Sequence, residues 1–439
     1  MERETLKALA EKGSAAHRRM LDFSTRRKRD ILYAIADELE KNREAILAVN
    51  AEDVMDAVER GRSPGFLDRL TLTEHRLGNI VRSFRVIADS KDPIGEQISR
   101  WIRPNGLEII RQRVPIGLVG IALESRPHVV ALATATCFKV NNAVIAVSDE
   151  EATRTNAILS QSIRDGGAIH GLPSDALQVI CSDNHQSDCR LLTSLEGLVD
   201  VVILRGSPSF VSDLVERAKV PVLKHSGGLC HVYVDCDRLK AGFEEGTPVT
   251  DASYNRIDIK MAVDVIVNSR CYDPYACNAA SVVLMHRLIA DRLLPALMAR
   301  AKLDGIALHG DESVRAMLPE AKLAEAEDWA APRKDIVLTI GVVDSVDAAI
   351  VHINAHGSHL ADTIISEDED TVKQFMREVD SAAVYANAST CFTDGGEYGM
   401  GAEVGISTDK LNARGPIGLE DLTTTKYLVL GSGQTRGGA

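Results

Sequence analysis

The sequence Asp273-Pro274-Tyr275-Ala276-Cys277-Asn278-Ala279-Ala280 sets a cysteine between a Pro-containing turn and the apolar run Ser281-Val282-Val283-Leu284-Met285. A thiolate held at the mouth of a cleft in this way can attack an activated carbonyl and keep it as a thioester. Read alone, the residue is equally a small buried hydrophobe, the common fate of a free cysteine. Lys224-His225-Ser226-Gly227-Gly228 follows the apolar stretch Val220–Leu223. Its two bases suit proton transfer or a phosphate, or simply a solvated turn. Arg205-Gly206-Ser207 after Val201–Leu204 offers a guanidinium and backbone amides to phosphate oxygens. From Gly395 to Gly405 there are five glycines in eleven residues, which allows close backbone approach over a ligand or a tight surface connection.

The chain that must position these groups has 439 residues, which suits two domains better than one core. Hydrophobic residues make up 45% and charged ones 26%, a globular balance, while aromatics at 4% leave the cores to Val, Ile, Leu and Ala. A net charge of -13 argues against a nucleic-acid partner. The eight cysteines show no C-x-x-C pair and no zinc-ligand spacing, so no metal site is expected. Met1-Glu2-Arg3-Glu4 has no apolar signal segment, and no run of about 18 apolar residues occurs, so the expected location is a reducing cytoplasm with no membrane contact.

Residues 1–90 read as helices, with Ser24 an N-cap ahead of Ile31, Leu32, Ile35 and Leu39 at helical spacing. Asn105-Gly106 between strand-like runs predicts a hairpin within 93–114. From Val114 the pattern alternates. Strands at 117–123, 143–147, 178–181 and 201–204 are separated by helices from Pro127 to about Lys139, over 150–165 and over 186–197. That order predicts a parallel sheet with ligands beyond its carboxyl edge, although no G-x-G-x-x-G is present. A second α/β unit begins near His231.

The chain resembles the γ-glutamyl phosphate reductase family (glutamate-5-semialdehyde dehydrogenases) of the aldehyde dehydrogenase superfamily. The likeness is carried by Trp101-Ile-Arg-Pro-Asn-Gly-Leu, Arg113-Val-Pro-Ile-Gly-Leu-Val-Gly, Cys230-His-Val-Tyr-Val-Asp, the stretch Asp344–Asp368 and, most strongly, Val379 to Tyr427. It implies an α/β, aldehyde-dehydrogenase-like fold: two parallel-sheet domains with helices on both faces, plus a small oligomerisation hairpin. The expected domains are a cofactor domain over 1–230, including the hairpin at 93–114, a catalytic domain over 231–405, and a return and oligomerisation segment over 406–439. The implied activity is NAD(P)H-dependent reduction of L-glutamyl 5-phosphate to L-glutamate 5-semialdehyde and phosphate in proline biosynthesis. Cys277 maps onto the family's nucleophile and Asn278 onto the residue after it. Cofactor contacts are implied at Glu124, Ser125, Arg126, Lys139, Arg205, Gly206, Ser207, Lys224 and His225. Substrate contacts are implied at Asn387, Ser389, Gly395, Gly396 and Glu397. A homo-oligomer is expected, with glutamate 5-kinase a candidate partner.

Several positions depart from the family pattern. His128 stands for the Asn that, by the resemblance, supports the thioester oxyanion, and its imidazole can donate one hydrogen bond in that role. Val147 and Asp149 replace a small and basic set at the cofactor, so NADP is implied by the resemblance, while these two residues penalise NAD less and leave it possible. Pro332 falls at the Glu that holds the nicotinamide ribose. Tyr272-Asp273 replaces Gln-Arg, Ala280-Ser281-Val282 replaces Leu-Glu-Thr, Leu360-Ala361-Asp362 replaces His-Thr-Asp, and Cys391 replaces Arg. These changes leave open a paralogue with another acyl substrate or NADH preference, or a binding protein with impaired turnover.

Overall fold

The computed structural model describes residues 2–124, 126–225, 227–236, 238–239, 254–255, 257–331, 335–401, 403–411 and 413–436. The chain forms two compact units, Met1–His225 with Tyr398–Ala439, and Ser226–Glu397.

The first unit opens with five helices, α1 (Arg3–Met20), α2 (Thr25–Lys41), α3 (Arg43–Glu59), α4 (Pro64–Leu70) and α5 (Glu74–Asp89). Ser24 caps α2 as expected, its hydroxyl accepting from Arg27 N–H at 3.2 Å. Strands β1 (Gln97–Ile102) and β2 (Glu108–Pro115) then form the hairpin. Arg103 and Leu107 close it at 2.8 Å, and Gly106 takes φ +84°, the left-handed conformation an Asn-Gly turn supplies. Next come β3 (Leu118–Leu123), α6 (Pro127–Lys139), β4 (Ala143–Asp149), α7 (Thr153–Ala168), β5 (Leu177–Ser182), α8 (His185–Leu192), β6 (Val201–Arg205), α9 (Pro208–Arg217) and β7 (Val222–His225). The strands make a parallel sheet in the order β5-β4-β3-β6-β7. Strands β3 and β4 are buried along their whole length, which is why they read as unbroken apolar runs rather than alternating ones.

The second unit runs through β8 (Cys230–Val234), the short antiparallel pair β9 (Arg238–Leu239) and β10 (Tyr254–Asn255), α10 (Ile259–Cys271), β11 (Ala280–His286), α11 (Ala290–Asp304), β12 (Ala307–Gly310) and α12 (Glu312–Met317). It continues through β13 (Lys322–Leu323), α13 (Ala326–Ala330), β14 (Val337–Val343), α14 (Val346–His356), β15 (Ala361–Ile365), α15 (Glu369–Glu378), β16 (Ala383–Ala386) and a 3-10 turn at Thr390–Phe392. Its parallel sheet has the order β13-β12-β14-β11-β8-β15-β16. Strands β8 and β11 are central and fully buried. The loop carrying Cys277 therefore leads directly into a rigid strand.

The chain returns to the first unit as β17 (Ile406–Ser407), β18 (Gly415–Pro416) and β19 (Thr423–Leu430), with β19 completing an antiparallel sheet β1-β2-β19. The return starts at Tyr398, ahead of the expected 406. The glycine-rich segment explains the shift. At Gly405 (φ +156°) a Cβ would meet Arg205 Nη1 at 2.3 Å, and Asp409 pairs with Lys224 at 3.0 Å, so the segment is tied to the ends of β6 and β7. Among the described residues no helix is long and apolar enough to cross a membrane.

Candidate active site

In the second unit, Asp273 starts the turn that presents Cys277. Its carboxylate accepts from Tyr275 N–H and its carbonyl from Ala276 N–H, both at 3.1 Å. Cys277 is half-buried, and Asn278 after it is 8% exposed. Two groups bear on the Cys277 carbonyl. The Cys230 thiol donates to it at 3.4 Å, and a Cβ on Gly228 would stand only 1.7 Å from the same oxygen. Burial pushes the Cys230 thiol well up, so it stays a neutral donor.

The Asn278 side chain is committed elsewhere. Its amide donates to the carbonyls of Cys391 at 3.3 Å and Thr393 at 3.0 Å, while the backbone carbonyl of Asn278 accepts from the Thr390 hydroxyl at 2.6 Å. The contribution of Asn278 to an oxyanion therefore reduces to its backbone N–H, which has no partner among the described residues.

Cys391 donates its thiol to the carbonyls of Asn268 and Ser269 at 3.5 Å, and burial pushes that thiol up. It brings no charge to replace an arginine's. Ser281 is fully buried, and its hydroxyl has no partner among the described residues. Asp362 is also fully buried. It accepts from His231 through the backbone N–H at 2.7 Å and holds the ring Nδ1 at 3.0 Å, with Ser381 on its second oxygen. That carboxylate is spent inside the unit rather than turned to a substrate.

Two expected substrate contacts are structural. Asn387 sits at φ 54° with its side-chain amide bonded to both the N–H and the carbonyl of Ser366 at 3.0 Å. Ser389 is 4% exposed, and its hydroxyl oxygen accepts from Ser269 at 3.1 Å and from Cys391 N–H at 3.2 Å. Both side chains are thus engaged in holding the loop. Gly396 and Glu397 form an Asx turn on Asp394, at 2.7 and 3.2 Å, with Gly395 buried at its start and Glu397 exposed.

In the first unit the expected cofactor residues divide. A cavity of about 580 Å³ opens beyond the carboxyl ends of β3 and β6, lined by Glu124, His185, Arg190, Ser207, Ser209 and Phe210 among others. This size is ordinary for a small-ligand site. His185 stacks on Phe210 with centroids 5.1 Å apart, and the buried His185 Nε2 has no partner among the described residues. A flat aromatic wall with a free nitrogen fits the adenosine part of a dinucleotide.

Glu124 and Ser207 meet here, but with each other: Glu124 accepts from Ser207 N–H at 2.6 Å at the start of α9. That helix end already carries a carboxylate, so a cofactor phosphate reaches it only by displacing Glu124. Gly206 is required by this contact, since a Cβ there would lie 2.8 Å from Glu124 Oε2 and 2.5 Å from Phe210.

Lys139 is misplaced by the sequence reading. It is fully buried and donates to the Ala88 carbonyl at 2.8 Å, joining α6 to α5. Lys224 is neutralised by Asp409. Arg205 stands beneath Gly405, and Arg126 precedes α6. The backbone of His225 ends β7, while its side chain, like Ser125 and Pro332, lies outside the described residues. His128, in the first turn of α6, is pushed down to about 3 by burial and by the charges of Arg126, Arg205 and Arg76. It is a neutral imidazole at any physiological pH, and its buried Nδ1 has no partner among the described residues.

Gly228, Cys230, Thr390, His185 and Phe210 are not among the site residues expected from the sequence, although Gly228 and Cys230 lie in stretches that the sequence marks. Gly228 carries a local signal, as half of a Gly-Gly pair just ahead of a buried strand.

The family model for aldehyde dehydrogenases matches residues 1–241. The chain is 40% identical over 427 residues to a γ-glutamyl phosphate reductase of Halothermothrix orenii, covering 97% of each. It is 41% identical over 421 residues to one of Moorella thermoacetica, covering 96% of each. The crystal structure of the Thermotoga maritima γ-glutamyl phosphate reductase superposes with a TM-score of 0.88 at 35% identity, over 98% of this chain and 99% of that one.

Proposed function

The chain belongs to the aldehyde dehydrogenase family and, within it, to the γ-glutamyl phosphate reductases, and we infer that it reduces L-glutamyl 5-phosphate to L-glutamate 5-semialdehyde and phosphate in proline biosynthesis. The observation that carries this reading is Cys277 itself: a half-buried thiol on a loop whose carbonyl is clamped by Gly228 and Cys230, at the head of a rigid central strand. The Cys277 thiolate attacks the acyl phosphate carbonyl, and the C–O bond to phosphate breaks to leave a thioester. Asn278 N–H, which has no partner among the described residues, is the donor next to Cys277 available to the developing oxyanion. NAD(P)H, when bound, would supply the hydride for the thioester carbon, and the Cys277 sulfur leaves as the thiolate as the aldehyde is released.

His185, Phe210 and Ser209 would hold the adenosine part of that cofactor. Asp188, Asp149 and Glu124 crowd the same end of the sheet. After burial, their charges are what push the Cys189 thiol further up. A 2′-phosphate entering such a field is repelled, so this chain is read as favouring NADH over NADPH.

The exposed Ile98, Ile102, Tyr427, Val429 and Leu430 on the β1-β2-β19 sheet suit burial against a second copy, and the eight free thiols suit a reducing cytoplasm. The test of the activity is the reverse reaction. Protein, glutamate 5-semialdehyde and phosphate are mixed with NAD+ or NADP+, and absorbance of the reduced nicotinamide is followed. Signal with at least one cofactor is expected. Silence with both, while a T. maritima control responds, overturns the reading.

A further inference from the structure

Two peptide groups flank Asn278, and each is held by a different element. The Cys277 carbonyl accepts from the Cys230 thiol at 3.4 Å and is backed by Gly228. Because a peptide is planar and trans, fixing that carbonyl also fixes the direction of Asn278 N–H. The next carbonyl, that of Asn278, accepts from the Thr390 hydroxyl at 2.6 Å.

Thr390 is fully buried and is itself anchored. Its N–H donates to the Ser269 hydroxyl at 3.2 Å, Ser269 donates to Ser389 at 3.1 Å, and Ser389 accepts from Cys391 N–H at 3.2 Å. The Asn278 amide returns to the same turn through the Cys391 and Thr393 carbonyls. The end of α10, the 3-10 turn and the nucleophile loop are thus one connected polar network, and it meets the loop at the residue next to the thiol.

We propose that Thr390 is a positioning residue for the reaction: its hydroxyl fixes the peptide after Asn278 and so holds both Asn278 N–H and the Cys277 side chain in their reactive directions. The inference rests on Cys277 being the nucleophile. Thr390→Val keeps the shape but leaves the Asn278 carbonyl buried without a donor, so the loop turns to find one. Thr390→Ser keeps the hydroxyl.

The test uses the full-length protein, with folding checked by circular dichroism. Two quantities are read: the pH profile of iodoacetamide alkylation at the Cys277 peptide, followed by mass spectrometry, and the split of kcat from KM in the reverse reaction. For Thr390→Val, kcat is expected to fall about tenfold with the semialdehyde KM within about twofold. The alkylation midpoint is expected to move by at least about half a pH unit. Thr390→Ser is expected to restore both. Ser269→Ala, which loosens Thr390 from behind, moves both in the same direction and carries the test should Thr390→Val not fold.

Unchanged kcat and alkylation in Thr390→Val, or Thr390→Ser as impaired as Thr390→Val, overturns the proposal. Cys277→Ser separates the two claims. If it keeps turnover, the nucleophile assignment fails. If it is inactive while Thr390→Val behaves as wild type, only the positioning role fails.

Discussion

Gly228→Ala is the sharpest perturbation of the loop that carries Cys277. A Cβ on residue 228 would lie 1.7 Å from the Cys277 carbonyl oxygen, 2.8 Å from its carbon and 3.3 Å from the Cys230 sulfur. Non-bonded heavy atoms rest beyond about 3 Å, so one side must give by roughly 1.5 Å. The obstructing atoms are backbone, and strand β8 behind Gly228 is central and fully buried, so the movement falls on the Cys277 loop. Displacing a reacting group by about 1 Å costs about a hundredfold in rate. We therefore expect kcat in the reverse reaction to fall at least about a hundredfold, with cofactor affinity by equilibrium titration within about twofold of wild type. A Gly228→Ala protein with near-normal kcat would mean that the loop is not rigidly held and that the clamp on Cys277 is incidental.

His352 is pushed down to about 4 by burial and by His231 and His356, so the unfolded chain binds the extra proton first on acidification. Stability is then complete above about pH 6.5 and is lost as pH falls towards 4, by on the order of 1–2 kcal/mol after allowance for the partial exposure of His352. Urea midpoints at pH 7 and pH 4.5 should show this, and His352→Gln should remove that part of the dependence. Asn141 is fully buried at φ 62°, with neither amide atom partnered among the described residues, so Asn141→Gly should stabilise by about 1 kcal/mol in urea unfolding, and a lower midpoint at unchanged slope would refute it. Asp149→Ser should raise kcat/KM for NADPH about tenfold while leaving NADH within about threefold, and equal effects on both would remove Asp149 from the selection of cofactor.

Much of the architecture could be read from residue patterns, because single elements decide it. Asn105-Gly106 admits one tight turn, Ser24 caps α2 through its own hydroxyl, and the unbroken apolar runs at β3 and β4 need two covered faces. The place of Cys277 ahead of a buried strand was legible for a different reason: the Pro-containing turn and the apolar run that follows it agree. The neighbouring roles were not, since a residue type does not say where its hydrogen bonds go. Lys139 looks like a cofactor lysine and instead bonds a helix carbonyl. Asn387 and Ser389 look like ligand contacts and instead close a loop. Gly228 and Thr390 carry their parts only through long-range approach to residues 277 and 278, which no local pattern encodes.

The most direct measurement is the mass of the Cys277 peptide after incubation with glutamate 5-semialdehyde and oxidised cofactor in the absence of phosphate, quenched in acid. Without phosphate to accept the acyl group, a glutamyl thioester should accumulate on Cys277, vanish on addition of phosphate, and be absent from Cys277→Ser. An acyl adduct on another cysteine, or reduced nicotinamide formed by Cys277→Ser at the wild-type rate, would contradict the assignment of Cys277 as the nucleophile.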